Sequence, residues 1–369
     1  MNILFYSPFN SRSRDSESLM IAFKNQGHRV ISLSQSEGRL IHPYLESKGI
    51  ETFTHPIQST ISLVYFFRQI LFLIWFCRKH YVDIVYSHLE SANFVAVISQ
   101  YFIKATVIVN RHHIDEAALQ GFDKSIFYKL TYSLAGKIIV VSNRAKEYIT
   151  TVERIQSSKV VKINLAYDFG LYSPPNQEKV KAIQQEINAD LVLLTVCRLT
   201  KFKRADLSIK LLKSLEECRV NAKLILLGSG VEEQRLKCLA LAEGVEHRLL
   251  MPGHVDNVID YLAASDFLVH PSILESSCVI VKEAAIAGLP VLVCNHVGDF
   301  DDYLVNGKNA FVVDRDSFVE ESVAVLTLNY KNRQALAEMA KSLHEKVIEL
   351  FGIDTILNHY DTLNSGQKN

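Results

Sequence analysis

Paired cysteines are the first thing this chain lacks. Its six cysteines, Cys77, Cys197, Cys218, Cys238, Cys278 and Cys294, are scattered, and none stands at Cys-x-x-Cys spacing. A zinc ribbon or a disulfide framework is thereby excluded, and thiols inside apolar runs such as LVLLTVC and PVLVC read as buried and reduced. Zinc-ligand spacing and an activated-serine motif are missing as well. So is net charge: 40 Lys+Arg balance 40 Asp+Glu, which argues against a dedicated nucleic-acid binder. No apolar run reaches the roughly 18 residues of a spanning helix. The nearest, Ile61–His80, is divided by Arg68 and Gln69. It reads either as a helix buried against a sheet or as one lying at a membrane interface, with Arg68, Arg78, Lys79 and His80 near lipid headgroups. The N-terminal MNILFYSPF runs straight into a strand pattern without the parts of a signal peptide, so a cytoplasmic location is expected.

What is present is apolar material for two cores: 369 residues, 48% hydrophobic and 22% charged. The balanced charge conceals an asymmetry. Residues 1–170 carry 19 Lys+Arg against 13 Asp+Glu, and residues 171–369 carry 21 against 27. A basic first half suits an anionic partner, although ordinary surface variation produces such a count too. Short β-branched runs alternate with segments of helical period. Strands are expected at Asn2–Tyr6, Arg29–Leu33, Asp83–Ser87, Ala105–Val109, Lys137–Val141 and Lys159–Ile163. A second series is expected at Leu191–Cys197, Lys223–Leu227, Arg248–Met251, Asp266–His270, Pro290–Cys294 and Ala310–Val313. This alternation specifies parallel sheets covered by helices on both faces, and the Pro-Pro stretch Tyr172–Gln177 separates the two series. The expected fold class is therefore α/β, with two Rossmann-like doubly wound domains, 1–170 and 171–350, facing a central cleft. Ligands of such sheets sit at the carboxyl ends of strands, so the loops there are the places to search.

Three segments carry candidate chemistry. In LTVCRLTKFKRADL, Arg198 and Lys203 follow a strand, with Lys201 and Arg204 beside them and Asp206 placed to cap the next helix. Cations at a strand end next to a helix N-terminus suit a phosphate; the alternative is ordinary surface charge. Gly228 and Gly230 follow the strand KLILL, either touching a ligand or only permitting a tight turn. In DFLVHPSILESSCVIVKEAAIAGLPV, Glu275 lies in the loop after a strand, and Glu283, eight positions on, lies inside a helix expected to begin near Ser276. Full helicity would separate them by about 12 Å, the reach from a ribose to the far sugar of a sugar nucleotide. Free amides between them suit a pyrophosphate; the alternative is a cap and a solvated acid.

These residues resemble the family 4 glycosyltransferases. The most specific element is E-x7-E with its continuation, here Glu275, Glu283, Ala285, Ala287, Gly288, Pro290 and Val291. CRLTKFKRADL is similar to the family's G-R-L-x-x-x-K-G-x-D-L, and MPGHVDNVIDYLAASDFLVHPS follows the family's order. The resemblance covers the whole chain and is strongest from Leu191 to Val313. It implies the GT-B fold, a last helix (residues 351–365) returning to the first domain, and a retaining transfer of a sugar from a nucleoside diphosphate to a hydroxyl. It further implies that Arg198 and Lys203 bind the diphosphate, that Glu283 holds the ribose and that Glu275 contacts the transferred sugar. The backbone amides of Ser277, Cys278 and Val279 are implied to lie over phosphates or sugar. In VIVNRHHIDE, His112 matches a family histidine that assists sugar or acceptor, with His113 beside it; His88 is a further acceptor-side candidate. No metal is implied, the Asp299-Phe300-Asp301 run being weak grounds for one. The acceptor is expected to be a glycan or a lipid-linked glycan of the cell envelope, such as polysaccharide or lipopolysaccharide, met at the inner face of an anionic membrane.

The chain departs from the family at several glycines. The glycine-rich first loop is replaced by SPFNSRSRDSES, where Arg12 and Arg14 could supply cations. Arg204 follows the motif lysine in place of glycine, and Cys278 stands where a glycine is common after the first acid. These departures keep alive a catalytically silent sugar-nucleotide-binding partner; a sugar-nucleotide epimerase on a similar fold is the other alternative.

Overall fold

A computed structural model describes residues 1–9, 12–36, 41–57, 62–112 and 125–365. The chain forms two compact units, Met1–Phe169 with Leu350–Asn369, and Gly170–Glu349. The first holds seven strands: β1 (Asn2–Ser7), β2 (Arg29–Ser34), β3 (Glu51–Thr54), β4 (Ile84–His88), β5 (Thr106–Arg111), β6 (Lys137–Val140) and β7 (Val160–Lys162). The second holds six: β8 (Leu191–Val196), β9 (Ala222–Leu227), β10 (Leu249–Gly253), β11 (Phe267–His270), β12 (Val291–Cys294) and β13 (Phe311–Val313). Their orders are β3-β2-β1-β4-β5-β6-β7 and β10-β9-β8-β11-β12-β13, and every pairing between strands is parallel. Each sheet reverses direction at one point, between β1 and β4 and between β8 and β11. That reversal leaves a crevice at the strands' carboxyl ends.

Twelve of the strands are those the sequence marks. The thirteenth, β3, reads ETFT with no buried residue, so no apolar run announces it. Elsewhere alternation does the work. In β1, Ile3 and Phe5 enter one core cluster, whereas Leu4 and Tyr6 enter the cluster on the opposite face. Both faces are covered, so these strands bury nearly every side chain.

The segment Ser62–Lys79 is one continuous helix of 18 residues; Arg68 and Gln69 do not divide it. Gln69 turns inward, fully buried, where it bonds the Tyr6 hydroxyl and the His55 carbonyl. Leu73, Phe76 and Cys77 pack into the core beside it. The other face carries exposed Leu63, Phe67, Leu71 and Trp75, at four-residue spacing, with Arg68, Arg78 and Lys79 among them. Neither half of the sequence-based choice is complete, because the helix is buried on one side and apolar to solvent on the other. Among the described residues no helix is long and apolar enough to cross a membrane.

The last helix, Ile353–Ser365, belongs to the first unit. Tyr167 and Gly352 form a parallel bridge, Ile356 and Tyr360 enter the core, and the Tyr86 hydroxyl donates to Asn364 Oδ1 at 2.8 Å.

Candidate active site

In the second unit the chemistry gathers at the β8/β11 reversal. Arg198 leaves β8, is exposed, and has no side-chain partner among the described residues. Lys203 follows in a short turn, Lys201–Lys203, and its ammonium reaches Glu275 Oε1 at 2.5 Å. His270, the last residue of β11, brings Nε2 to the same oxygen at 2.7 Å and to Cys278 Sγ at 3.4 Å. Glu275 thus has two cationic partners. Burial alone would raise its pKa, but the hydrogen bond and charge of His270 and the charge of Lys203 outweigh burial and hold the carboxyl at about 2. His270 answers in the opposite sense. Burial would lower it, yet the pull and hydrogen bonds of Cys278 and Glu275 raise it to about 9. Lys203 is likewise raised, Glu275 prevailing over burial. The result is a carboxylate fixed in its charged form.

The helix after this loop runs from Val279 to Ile286 and begins later than the expected Ser276, because Glu275–Cys278 stay in irregular backbone. The rise estimated for a continuous helix between Glu275 and Glu283 therefore does not apply. Cys278 stands at the N-cap and makes no side-chain capping bond, which leaves the first-turn amides without an intrahelical acceptor. Glu283, in the second turn, is half-buried. Ser277 is held from below: its hydroxyl donates to Asp299 Oδ2 at 2.6 Å, and the same oxygen accepts from Lys282 Nζ at 2.6 Å. Lys282 and Asp299 are both fully buried. Asp301, by contrast, faces the exposed His296, so Asp299 and Asp301 serve separate partners. Among the described residues the one cluster of metal-ligating type is His270, Glu275 and Cys278, whose ligand atoms lie within 4.8 Å of one another.

Glycines set the loop positions. A Cβ on Gly228 would sit 1.9 Å from the Cys197 carbonyl oxygen, and one on Gly230 would sit 2.4 Å from that of Leu199. The two glycines thus let the β9 exit loop lie against the backbone that carries Arg198. Arg204 adopts φ +48, the left-handed conformation in which glycine is comfortable, and it stands at the N-cap of the helix Ala205–Glu217. Asp206 is not the cap. It lies inside the helix and pairs with Arg204.

In the first unit, His88 ends β4 and His112 follows β5. Because β4 and β5 pair in register, His88 opposite Asn110, the two rings meet: His88 Nδ1 and His112 Nε2 share a hydrogen bond of 2.9 Å. Both histidines have lowered pKa values, His88 through burial and then the neighbouring ring, His112 through burial that Asp15 partly offsets. The pair is therefore neutral at pH 7. His88 Nε2 is buried without a partner and borders a cavity of about 10 Å³, shared with Asp15, His112, Asn164 and Tyr360. Leu89, next in chain, holds φ 68 and ψ 160, a conformation ordinarily reserved for glycine. Arg12 gives its guanidinium to the buried Glu17 in a bidentate pair and lies over the Tyr44 ring; Arg14 opens the helix Arg14–Asn25. His113 lies outside the described residues.

Sequence reading passed over His270, Lys282, Gly298 and Cys197 as site residues. Cys197 lies within electrostatic reach of Lys203, Glu275 and Cys278. Gly298, at φ +58, would place a Cβ 2.9 Å from that of Glu275. The one available signal was position: His270 ends a strand.

Two doubly wound parallel sheets of seven and six strands, each with a polar cluster at its reversal point, are the GT-B fold. The model described as Glycosyl transferases group 1 matches residues 176–345, and that described as Glycosyltransferase Family 4 matches residues 17–192. The chain belongs to the family 4 glycosyltransferases. It is similar to N-acetyl-alpha-D-glucosaminyl L-malate synthase of Bacillus anthracis, at 23% identity over 295 residues, 78% of this chain and 75% of the relative. It is also 23% identical over 345 residues to UDP-Gal:alpha-D-GlcNAc-diphosphoundecaprenol alpha-1,3-galactosyltransferase of Escherichia coli, covering 88% and 85%. The crystal structure of HepE from Anabaena in complex with UDP superimposes with a TM-score of 0.85 at 18% identity, over 99% and 100% of the chains.

Proposed function

We propose that this glycosyltransferase moves a sugar from a uridine diphosphate sugar to a hydroxyl of a lipid-linked glycan, with retention at the anomeric carbon. The observation that carries the donor half is the cluster at the β8/β11 reversal: exposed Arg198, the Lys203–Glu275–His270 network and an uncapped helix N-terminus. The diphosphate lies over the amides of Ser277, Cys278 and Val279, with Arg198 as its mobile clamp. Glu283 takes the ribose hydroxyls. Glu275, fixed as a carboxylate, faces the sugar, and Lys203 turns toward the charge developing on the leaving diphosphate. Electrostatic stabilisation of that charge, rather than proton transfer, lowers the barrier, and it needs no metal ion. His112, neutral and oriented by His88, bonds a hydroxyl of sugar or acceptor. The uridine choice draws on HepE, which binds UDP, and on the Escherichia coli relative, which uses UDP-Gal. The latter's diphosphoundecaprenol acceptor, with the exposed apolar helix face here, supports a lipid-linked acceptor met at the membrane surface.

Calorimetric titration with UDP, GDP and ADP tests the donor half. UDP is expected to bind alone or most tightly, and Glu283→Ala to weaken it strongly. No binding of any diphosphate by the folded wild type sinks this assignment. UDP binding without transfer or slow hydrolysis of a UDP-sugar would favour the silent-partner reading, which the commitment of Arg12 to Glu17 rather than to an open loop also favours. Arg198→Ala is expected to lower transfer by about 10²–10³-fold, as loss of one transition-state donor does.

A further inference from the structure

We propose that His270, Glu275 and Cys278 form a reversible binding site for a thiophilic divalent cation, Zn²⁺ above all, and that its occupancy closes the donor pocket. The donor set is an imidazole nitrogen, a carboxylate oxygen and a thiol sulfur, the mixture that zinc takes from proteins. Its geometry is close to what the ion requires. Ligand bonds of about 2.0 Å to nitrogen and oxygen and about 2.3 Å to sulfur place tetrahedral ligands roughly 3.3–3.6 Å apart. His270 Nε2 and Cys278 Sγ already stand 3.4 Å apart, and Nε2 lies 2.7 Å from Glu275 Oε1, so a modest opening of one contact admits the ion. All three ligand atoms fall within 4.8 Å of one another. They are positioned by different elements, since His270 ends β11, Glu275 sits in the loop and Cys278 caps the helix Val279–Ile286. Such a site is preformed by the fold.

Cys278 is what creates it. Cys278 has φ −83, a conformation that any residue adopts without strain. Its sulfur is buried and turned to His270, which sets a soft ligand beside the imidazole and the carboxylate. Two features limit the affinity. Lys203 competes for Glu275 Oε1, and His270 Nδ1 has no acceptor behind it, whereas tightly held zinc histidines are braced there. Both argue for a regulatory or inhibitory ion, not a resident one. The cation would bind a neutral imidazole and a thiolate, with any proton on His270 Nε2 and the Cys278 thiol proton released to solvent, and would push Lys203 off the carboxylate. The binding site rests on this cluster alone. Only the closing of the pocket rests on the donor assignment above.

Titration of the full chain with Co²⁺, without thiol reductant, tests the site independently of catalysis. The expected result is a near-ultraviolet thiolate-to-cobalt charge-transfer band that excess Zn²⁺ abolishes. Cys278→Ser, checked for an unchanged melting curve, should lack the band and bind Zn²⁺ more weakly by about tenfold or more. Cys197→Ser should keep it. If Cys278→Ser does not fold, His270→Gln serves in its place and should lack the four-coordinate visible bands. A folded wild type that shows no band overturns the proposal, as does a band that survives in Cys278→Ser. UDP binding by calorimetry, measured without metal, reports separately on the donor site.

Discussion

Glu275 and His270 depend on each other's charge, and the consequence is a defined pH window. The carboxyl, held at about 2 against an ordinary 4.5, contributes its full stabilisation above 4.5 and loses it as pH falls toward 2. The imidazole, raised to about 9 from 6.5, contributes fully below 6.5 and loses its contribution as pH rises toward 9. Together they act at full strength between pH 4.5 and 6.5. The melting-temperature gap between wild type and His270→Gln should therefore be widest in that window and close steadily from pH 6.5 to 9. A gap that stays constant over that range would mean that His270 is not charged in the folded protein. Nothing in the string HPSILESSC announces this behaviour, because the shift arises from partners that folding brings within 3.4 Å.

At the scale of elements, the helix Val279–Ile286 presents Glu283, with Glu275 in the loop before it, and a buried ion pair holds the helix in place. Lys282, fully buried, joins Asp299 and Ser277, binding the helix to the loop that also seats Gly298 against Glu275. Removing one partner leaves an uncompensated buried charge, so Lys282→Met should cost about 3–5 kcal/mol in urea unfolding, with Lys282→Met combined with Asp299→Asn recovering part of it. Recovery of nothing would assign the loss to packing, not charge. Here the sequence was legible only in part. Glu275 and Glu283 were readable as a spaced pair, but the helix start was not, since Ser276, Ser277 and Cys278 adjoin the helical run yet stay in irregular backbone, with Ser277 bonded to Asp299 and Cys278 to His270. Gly228 and Gly230 announced a special backbone, but only the approach of Cys197 and Leu199 shows which one.

Over the whole molecule, charge and apolar surface coincide on the first unit. The basic first 170 residues include the helix Ser62–Lys79, whose outer stripe of Leu63, Phe67, Leu71 and Trp75 lies among Arg68, Arg78 and Lys79. That combination suits an anionic lipid surface. Trp75, the chain's single tryptophan, is half exposed, with the Lys79 ammonium 4.6 Å above its ring. Its fluorescence should shift to shorter wavelength with vesicles containing anionic phospholipid, less at high salt, and Phe67→Ser with Leu71→Ser should abolish the shift. An unchanged emission at low salt would remove the membrane from the proposed function.

The sequence by itself determined both sheets apart from the edge strand β3, because runs of alternating or continuous apolar residues between turn signals have one economical burial, in parallel strands covered on both faces. It also determined which residues stand at strand ends, hence where Arg198, Lys203, His88 and His112 emerge. Only the tertiary structure decided their company. Lys203 and Glu275 are 72 positions apart, and His88 and His112 are 24 apart. They meet because β8 pairs with β11 and β4 with β5, and strand order is a property of packed sheets that no local pattern encodes.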